Sequence, residues 1–165
     1  MDLLEYVPVL RDLPPAATVA LVAAIPIVEL RGAIPVGVVL GLSPVEAAIP
    51  AVVGNVLPIP FLVWFLDPVQ SWLSKRFGFF DRFFKSLFRR TRSKHTARFE
   101  QFRDLALVLF VAVPLPGTGG WTGAAAAFVF GIKKWRAVAL ITLGIIMAAV
   151  VVTAFTAVGE AVVRR

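Results

Sequence analysis

Hydrophobic positions dominate this chain and form two similar blocks separated by one polar stretch. From residue 13 to residue 66 the only charged side chains are Glu29, Arg31 and Glu46. None occurs from 105 to 132, and none from 137 to 159. About 20 apolar residues span the hydrocarbon core of a bilayer, so there is material for about four passes or insertions. Each block has the same order: an apolar segment broken by proline and glycine, a short polar loop, then an unbroken apolar helix. The loops are residues 43–46 and 133–136. The unbroken helices are expected at about 45–66 and 135–158.

The similarity has a register. Ala24-Ile25-Pro26-Ile27 aligns with Ala112-Val113-Pro114-Leu115 at an offset of 88 residues, and Gly32 then falls on Gly120. After a two-residue insertion, Gly41 aligns with Gly131 and Gly54 with Gly144 at an offset of 90. Apolar composition alone produces chance matches, but the shared order of proline, glycine and loop favours true repetition. Repeat 1 is placed at about 13–68 and repeat 2 at about 105–160, within a single membrane domain of residues 1–165.

Between them, residues 69–104 form a connector that holds the net charge. Ten basic residues face three acidic ones between Ser71 and Asp104, which is +7, while the remaining seven basic and seven acidic residues cancel. Leu73, Phe77, Phe80, Phe84 and Leu87 fall on one helical stripe among these cations. Such a helix lies in the membrane interface, apolar face down and cations toward anionic lipid. Nucleic acid is the rival partner for a basic, aromatic segment, and the apolar remainder of the chain argues against it. The positive-inside rule puts the connector, residues 71–104, in the cytoplasm of a multi-pass plasma-membrane protein.

Charge then discriminates between two topologies. Four full spans would set Lys133, Lys134 and Arg136 on the side opposite the connector. If each broken segment is instead a re-entrant hairpin, connector and loop share the cytoplasmic side and the two halves are inverted. Arg164 and Arg165 would then face outward, which counts mildly against it. Broken backbone at membrane depth is tolerated only where protein or a wet cavity covers it. The hairpin topology is the expectation.

Composition agrees with a membrane protein and narrows the chemistry. Hydrophobic residues make up 59% of the 165 and charged residues only 16%, more apolar surface than a soluble core of this size can hide. The absence of cysteine excludes disulfides and thiolate chemistry. A lone histidine, His95, argues against a histidine-built metal site or a serine-histidine triad. No enzyme activity, metal or cofactor is expected. The first residues, with Asp2, Glu5, Arg11 and Asp12, lack the basic n-region of a signal peptide, so the chain is expected to keep its start at Met1.

The candidate chemistry lies in the broken segments. Glu29 and Arg31 sit between Pro26 and Pro35 in an otherwise uncharged stretch, at a cost in lipid of several kcal/mol. Two residues apart, they do not share a helix face, so each needs a further partner. Pro26, Gly32 and Pro35 supply the unwinding that bares backbone groups. The second segment, Pro114-Leu115-Pro116-Gly117-Thr118-Gly119-Gly120-Trp121-Thr122-Gly123, carries no charge. Its glycines let backbone N–H groups converge on an anion ahead of a helix at 124–130. The alignment sets Glu29 and Arg31 opposite Gly117 and Gly119, one half supplying charges and the other a backbone nest. Blander readings stand beside these. Glu29 and Arg31 could only pin a hairpin, and the glycines could only permit close helix packing. Asn55, before Pro58 and Pro60, could line a pathway or cap a kink. Asp67 beside Pro68 reads as a helix terminator, and Trp64 and Trp135 as interface anchors.

These residues also carry a resemblance. Glu29-Leu30-Arg31-Gly32-Ala33-Ile34-Pro35 and the run from Pro114 to Gly123 resemble the small multidrug export proteins, a prokaryotic membrane family, over about residues 25–159. That family is in turn similar to the DedA group, which includes carriers of undecaprenyl phosphate and lipid scramblases with paired re-entrant hairpins. The resemblance implies functional roles for Glu29 and Arg31 on the first hairpin and for Pro114 to Gly117 on the second. The chain departs from the DedA pattern in having no arginine in its second hairpin.

The resulting expectation is an all-α integral membrane protein of two inverted repeats, each a re-entrant helical hairpin plus a transmembrane helix, with an amphipathic interfacial helix between them. Its function is expected to be proton-coupled transport of a small solute or anion through a site formed by the two hairpins. The alternatives are a translocase of anionic lipids and a non-transporting membrane organiser. So few helices can hardly enclose a pathway alone, so a homodimer or larger assembly is expected.

Overall fold

The computed structural model describes residues 13–78, 97–115 and 117–163. They form helices α1 (Pro15–Ala24), α2 (Glu29–Val39), α3 (Pro44–Val56), α4 (Pro58–Arg76), α5 (Ala97–Ala112), α6 (Gly120–Val129) and α7 (Lys134–Val163). No strand occurs among the described residues.

Proline, glycine and a capping box set the boundaries. Pro15 opens α1, where a missing N–H costs nothing. Pro26 cannot continue the helix, and the Ile25 N–H folds back onto the Val22 carbonyl at 3.2 Å. α2 ends in a left-handed turn at Gly41 (φ +92°), with Leu42 N–H donating to the Gly37 carbonyl at 3.0 Å. Ser43 then caps α3. Glu46 N–H donates to Ser43 Oγ at 3.3 Å, and Ser43 N–H donates to the Glu46 carboxylate at 2.8 Å. At the end of α6 the turn recurs at Gly131 (φ +65°), with Ile132 N–H bonded to the Ala127 carbonyl at 3.0 Å. Gly41 and Gly131 are the aligned pair at the offset of 90.

The chain divides into two compact units. One is built from the chain up to Leu57 together with the chain from Ala149 onward, and the other is Pro58–Ala148. In the first unit α1, α2 and α3 pack against each other through small residues, with Ala23, Ala33, Ala47 and Ala51 fully buried. A Cβ on Gly37 would lie 2.6 Å from Ala47 Cβ and 2.9 Å from Val19 Cγ2. At Gly54 a Cβ would collide with the carbonyl oxygen of Ala20, so α3 meets the backbone of α1 directly. Close backbone approach through small residues is how helices associate where lipid offers no hydrophobic drive.

In the second unit α6 packs against α4 and α5. Its core includes Ile59, Leu107, Val111, Ala124, Ala127, Ile141 and Ile145. Gly144 repeats the behaviour of Gly54: its Cβ would lie 2.6 Å from Val111 Cβ and 2.9 Å from the Val108 carbonyl. The buried positions of α2 and α6 recur at an offset of 90, which differs from the 88 that sets Gly32 on Gly120 and Glu29 and Arg31 opposite Gly117 and Gly119. Leu30, Ala33, Ile34 and Gly37 are buried in α2, and Gly120, Gly123, Ala124 and Ala127 in α6.

Two helical stretches, Pro44–Arg76 and Lys134–Val162, are long and apolar enough to cross a bilayer. α1, α2 and α6 have 10, 11 and 10 residues. At 1.5 Å per residue each reaches only about half of the ~30 Å hydrocarbon core. The helical class therefore agrees with the sequence reading, while the first unbroken helix differs in detail. It begins at Pro44, is interrupted at Leu57 and runs on to Arg76, past the expected end near 66. Leu57 itself stays helical (φ −53°, ψ −44°), its N–H bonded to the Val53 carbonyl at 3.0 Å; the interruption falls where Pro58 supplies no N–H to the Gly54 carbonyl. Most of the connector's aromatic stripe lies outside the described residues, and the connector's two ends belong to α4 and α5.

Candidate functional site

The first broken segment places Glu29 at the start of α2, just after the turn enforced by Pro26. Among the described residues it is the single non-glycine residue with a positive φ, +50°. Its side chain is buried, with 4% exposure. A left-handed residue with a side chain costs about 1–2 kcal/mol, and such strain persists where surrounding structure over-determines it, commonly at functional sites. The start of a helix favours a carboxylate. Arg31 is half-buried and lies within electrostatic reach of Glu29. On a regular helix, residues two apart diverge; the left-handed turn at Glu29 takes its side chain off that track. A Cβ at Gly32 would run into Val28 Cγ1. Pro35, exposed within α2, supplies no N–H for the Arg31 carbonyl.

Asn55 belongs to the same unit. It is 1% exposed, and its amide oxygen and nitrogen have no hydrogen-bond partner among the described residues. Its depth follows from the α2–α3 register. Gly37 abuts Ala47 in this antiparallel pair, and eight residues farther along each helix, about 12 Å, lie Glu29 and Asn55. The fold thus sets a buried carboxylate and a buried amide at one level. Thr18, also buried in this unit, donates to the Pro14 carbonyl at 3.5 Å; nothing in the sequence singled it out.

The second broken segment belongs to the other unit. Pro114 is half-buried, Pro116 lies outside the described residues, and Gly117 takes φ +83°. Gly119 (φ +139°) and Gly120 are buried, and α6 begins at Gly120 with no side-chain cap. The first N–H groups of a helix have no acceptor within it, and α6 opens on two glycines that leave room beside them. The hydroxyls do something else. Thr118 Oγ1 lies 2.7 Å from the Val113 carbonyl and 2.9 Å from that of Leu115, and Thr122 Oγ1 donates to Gly119 at 3.4 Å. They brace the turn with its own carbonyls. Trp121 is half-buried.

A third cluster, not anticipated as one, ties together α4, α5 and the α6–α7 turn within the second unit. Asp67 and Lys134 pair at 2.5 Å. Asp104 is buried and pairs with Arg136 at 2.5 Å and with Arg103 at 3.5 Å, while Arg136 also lies 3.8 Å from Glu100. Arg103 donates to the Phe130 carbonyl at 3.3 Å. Trp64 and Trp135 meet edge to face, with centroids 4.8 Å apart. Asp67 lies within α4 and does not end it, contrary to the terminator reading, because Pro68 is accommodated inside the helix. Asp67 before the connector, the acids Glu100 and Asp104 at its end and the basic 133–136 loop were each visible in the sequence; their pairing needed the turn at Gly131. No group of three or more metal-ligating side chains occurs among the described residues.

Helices of bilayer length, together with charged and broken segments inside apolar blocks, define a helical membrane protein. The chain belongs to the family described as "Putative small multi-drug export protein", whose model matches residues 29–151. The match opens on Glu29 and takes in the rest of the first broken segment, the whole of the second and the ion-paired turn. No curated protein and no solved structure matched the chain. The family description and the two apolar spans place the protein among membrane transport proteins.

Proposed function

We propose that the protein is a proton-coupled secondary transporter of the plasma membrane, moving a small solute or anion, with Glu29 as the proton carrier and Arg31 as the anion-holding group. The observation that carries this reading is Glu29 itself, a buried carboxylate held at φ +50° on a broken helix start, with Arg31 beside it. When Glu29 is ionised, the pair is neutral. Protonation leaves Arg31 with an uncompensated charge that attracts an anion. Proton and anion binding then favour each other, and by linkage the effect is reciprocal. Asn55, level with Glu29 and with no hydrogen-bond partner among the described residues, holds an amide that could donate to an ionised carboxylate and accept from a protonated one if the two approach during transport.

The same reading takes both broken segments as re-entrant hairpins in inverted repeats, and the protein as a homodimer or larger assembly. In its favour, α1, α2 and α6 are about half a bilayer long. In the second unit the Asp104–Arg136 pair ties the chain before the broken segment to the chain after it, as a return to the same side requires. The test is proton-gradient dissipation in liposomes holding wild type, Glu29→Gln or Arg31→Ala. Loss of solute-dependent proton flux in Glu29→Gln is expected. Undiminished flux in that variant rejects the reading, and phospholipid movement lost in Arg31→Ala without any proton flux replaces it with a lipid translocase.

A further inference from the structure

The second unit contains a pocket that the transport reading does not use. It has a volume of about 220 Å³ and lies between α4 and the α6–α7 turn, lined by Val63, Asp67, Phe128, Ile132, Lys133 and Lys134 among others. Its character is divided. Val63, Phe128 and Ile132 make one wall apolar. The rim carries Lys133, Lys134 and Asp67. Lys134 is neutralised by Asp67 at 2.5 Å, whereas Lys133 is exposed and takes no ion pair among the described residues. The neighbouring cations Arg103 and Arg136 are engaged by Asp104, Glu100 and the Phe130 carbonyl. The rim therefore has one uncommitted positive charge, with an anchored lysine and a carboxylate beside it.

Depth fixes what such a pocket meets. The Trp64–Trp135 pair stands one helical turn or less from Asp67 and Lys134 in sequence, and paired indoles with lysines mark the level where lipid headgroups meet the hydrocarbon. A pocket with an apolar wall and a cationic rim at that level matches the junction of a phospholipid, phosphate outward and glycerol inward. We propose that this pocket binds the phosphate ester of one membrane phospholipid, with Lys133 as the group that holds the phosphate. The Asp67–Lys134 pair keeps the mouth open and in shape. This site is separate from Glu29 and Arg31 and stands whether or not they carry protons.

The experiment uses the full chain in detergent, supplied with phosphatidylglycerol or phosphatidylcholine and examined by native mass spectrometry, with inorganic phosphate as competitor. Wild type is expected to retain one phospholipid per chain, saturably. Lys133→Gln should weaken retention about tenfold, the worth of one charge-assisted hydrogen bond. Lys133→Arg should restore it, and Arg165→Gln, the same charge change far in sequence from both the pocket and the connector, should leave it intact. Displacement of the lipid by millimolar phosphate in wild type would assign the same chemistry to a free phosphate source. Equal weakening by Lys133→Gln and Arg165→Gln, or no saturable retention at all, overturns the proposal. Lys133 is exposed, so its variants are expected to fold, and unchanged melting checks this.

Discussion

Replacing Asp104 by asparagine should destabilise the protein several times more than replacing Glu100 by glutamine, although both acids face Arg136. The Asp104 side chain is 9% exposed and meets Arg136 at 2.5 Å, with Arg103 at 3.5 Å on its other side. The Glu100 side chain is 42% exposed and 3.8 Å away. Removing one partner of a fully buried ion pair costs about 3–5 kcal/mol. Arg136 keeps 48% of its side chain exposed, so solvent screens the charge left behind and about 2 kcal/mol is expected. The Glu100 contact, open to solvent at both ends, should be worth about 0.5 kcal/mol or less. On the scale of soluble proteins of this size the Asp104 loss corresponds to about 4–8 °C in melting temperature. Melting of purified Asp104→Asn, Glu100→Gln and Arg136→Gln in detergent, with the double variants, gives both pair couplings. Raising the salt to 1 M should erase the Glu100 effect and leave most of the Asp104 effect. Equal losses for the two acids, or an Asp104 effect abolished by salt, would refute the assignment of a buried anchor.

Other substitutions probe the first unit and its site. Gly54→Ala should cost about 3 kcal/mol or more, because its methyl meets the Ala20 backbone, while Gly159→Ala, with open space around its Cβ, should stabilise α7 by about 0.5–1 kcal/mol in the same melting assay. Glu29→Gly should melt higher than Glu29→Ala by about 1 kcal/mol, since both lose the carboxylate but only glycine sheds the positive-φ cost; alanine equal to glycine would deny that strain. Asn55→Leu should be neutral or stabilising by about 1–3 kcal/mol, because it removes a buried amide without partners, yet should slow proton flux in liposomes; a stable variant with full flux would remove Asn55 from the site.

Much of the fold was legible because proline and glycine act locally. Pro26, Gly41, Pro44 and Gly131 each impose a backbone consequence that tertiary contacts cannot remove, and the helices begin or end beside all four. Gly54 and Gly144, paired in the sequence at an offset of 90, each sit where a neighbouring backbone comes too close for a side chain. The length of the first long helix was not, because Pro58, Pro60 and Pro68 mark breaks while the apolar face continues to Arg76. In the site, Glu29 and Arg31 stood out by their charge in an apolar block. The positive φ of Glu29 has no signature in residue type, and the level shared by Glu29 and Asn55 emerges only from the α2–α3 register. The Asp67–Lys134, Asp104–Arg136 and Trp64–Trp135 pairings join residues 32 to 71 positions apart. Spacing alone does not find these.

The hairpin topology is the claim on which the rest depends, and the chain is suited to testing it because it contains no cysteine. Single cysteines at Lys75 and Lys133, both exposed, would be labelled with a membrane-impermeant maleimide in intact cells and in inverted vesicles. Re-entrant broken segments predict that both cysteines react from the cytoplasmic side. Labelling of position 133 from outside, with position 75 reacting from within, would mean that the segment between α5 and α7 crosses the membrane completely and would contradict the account.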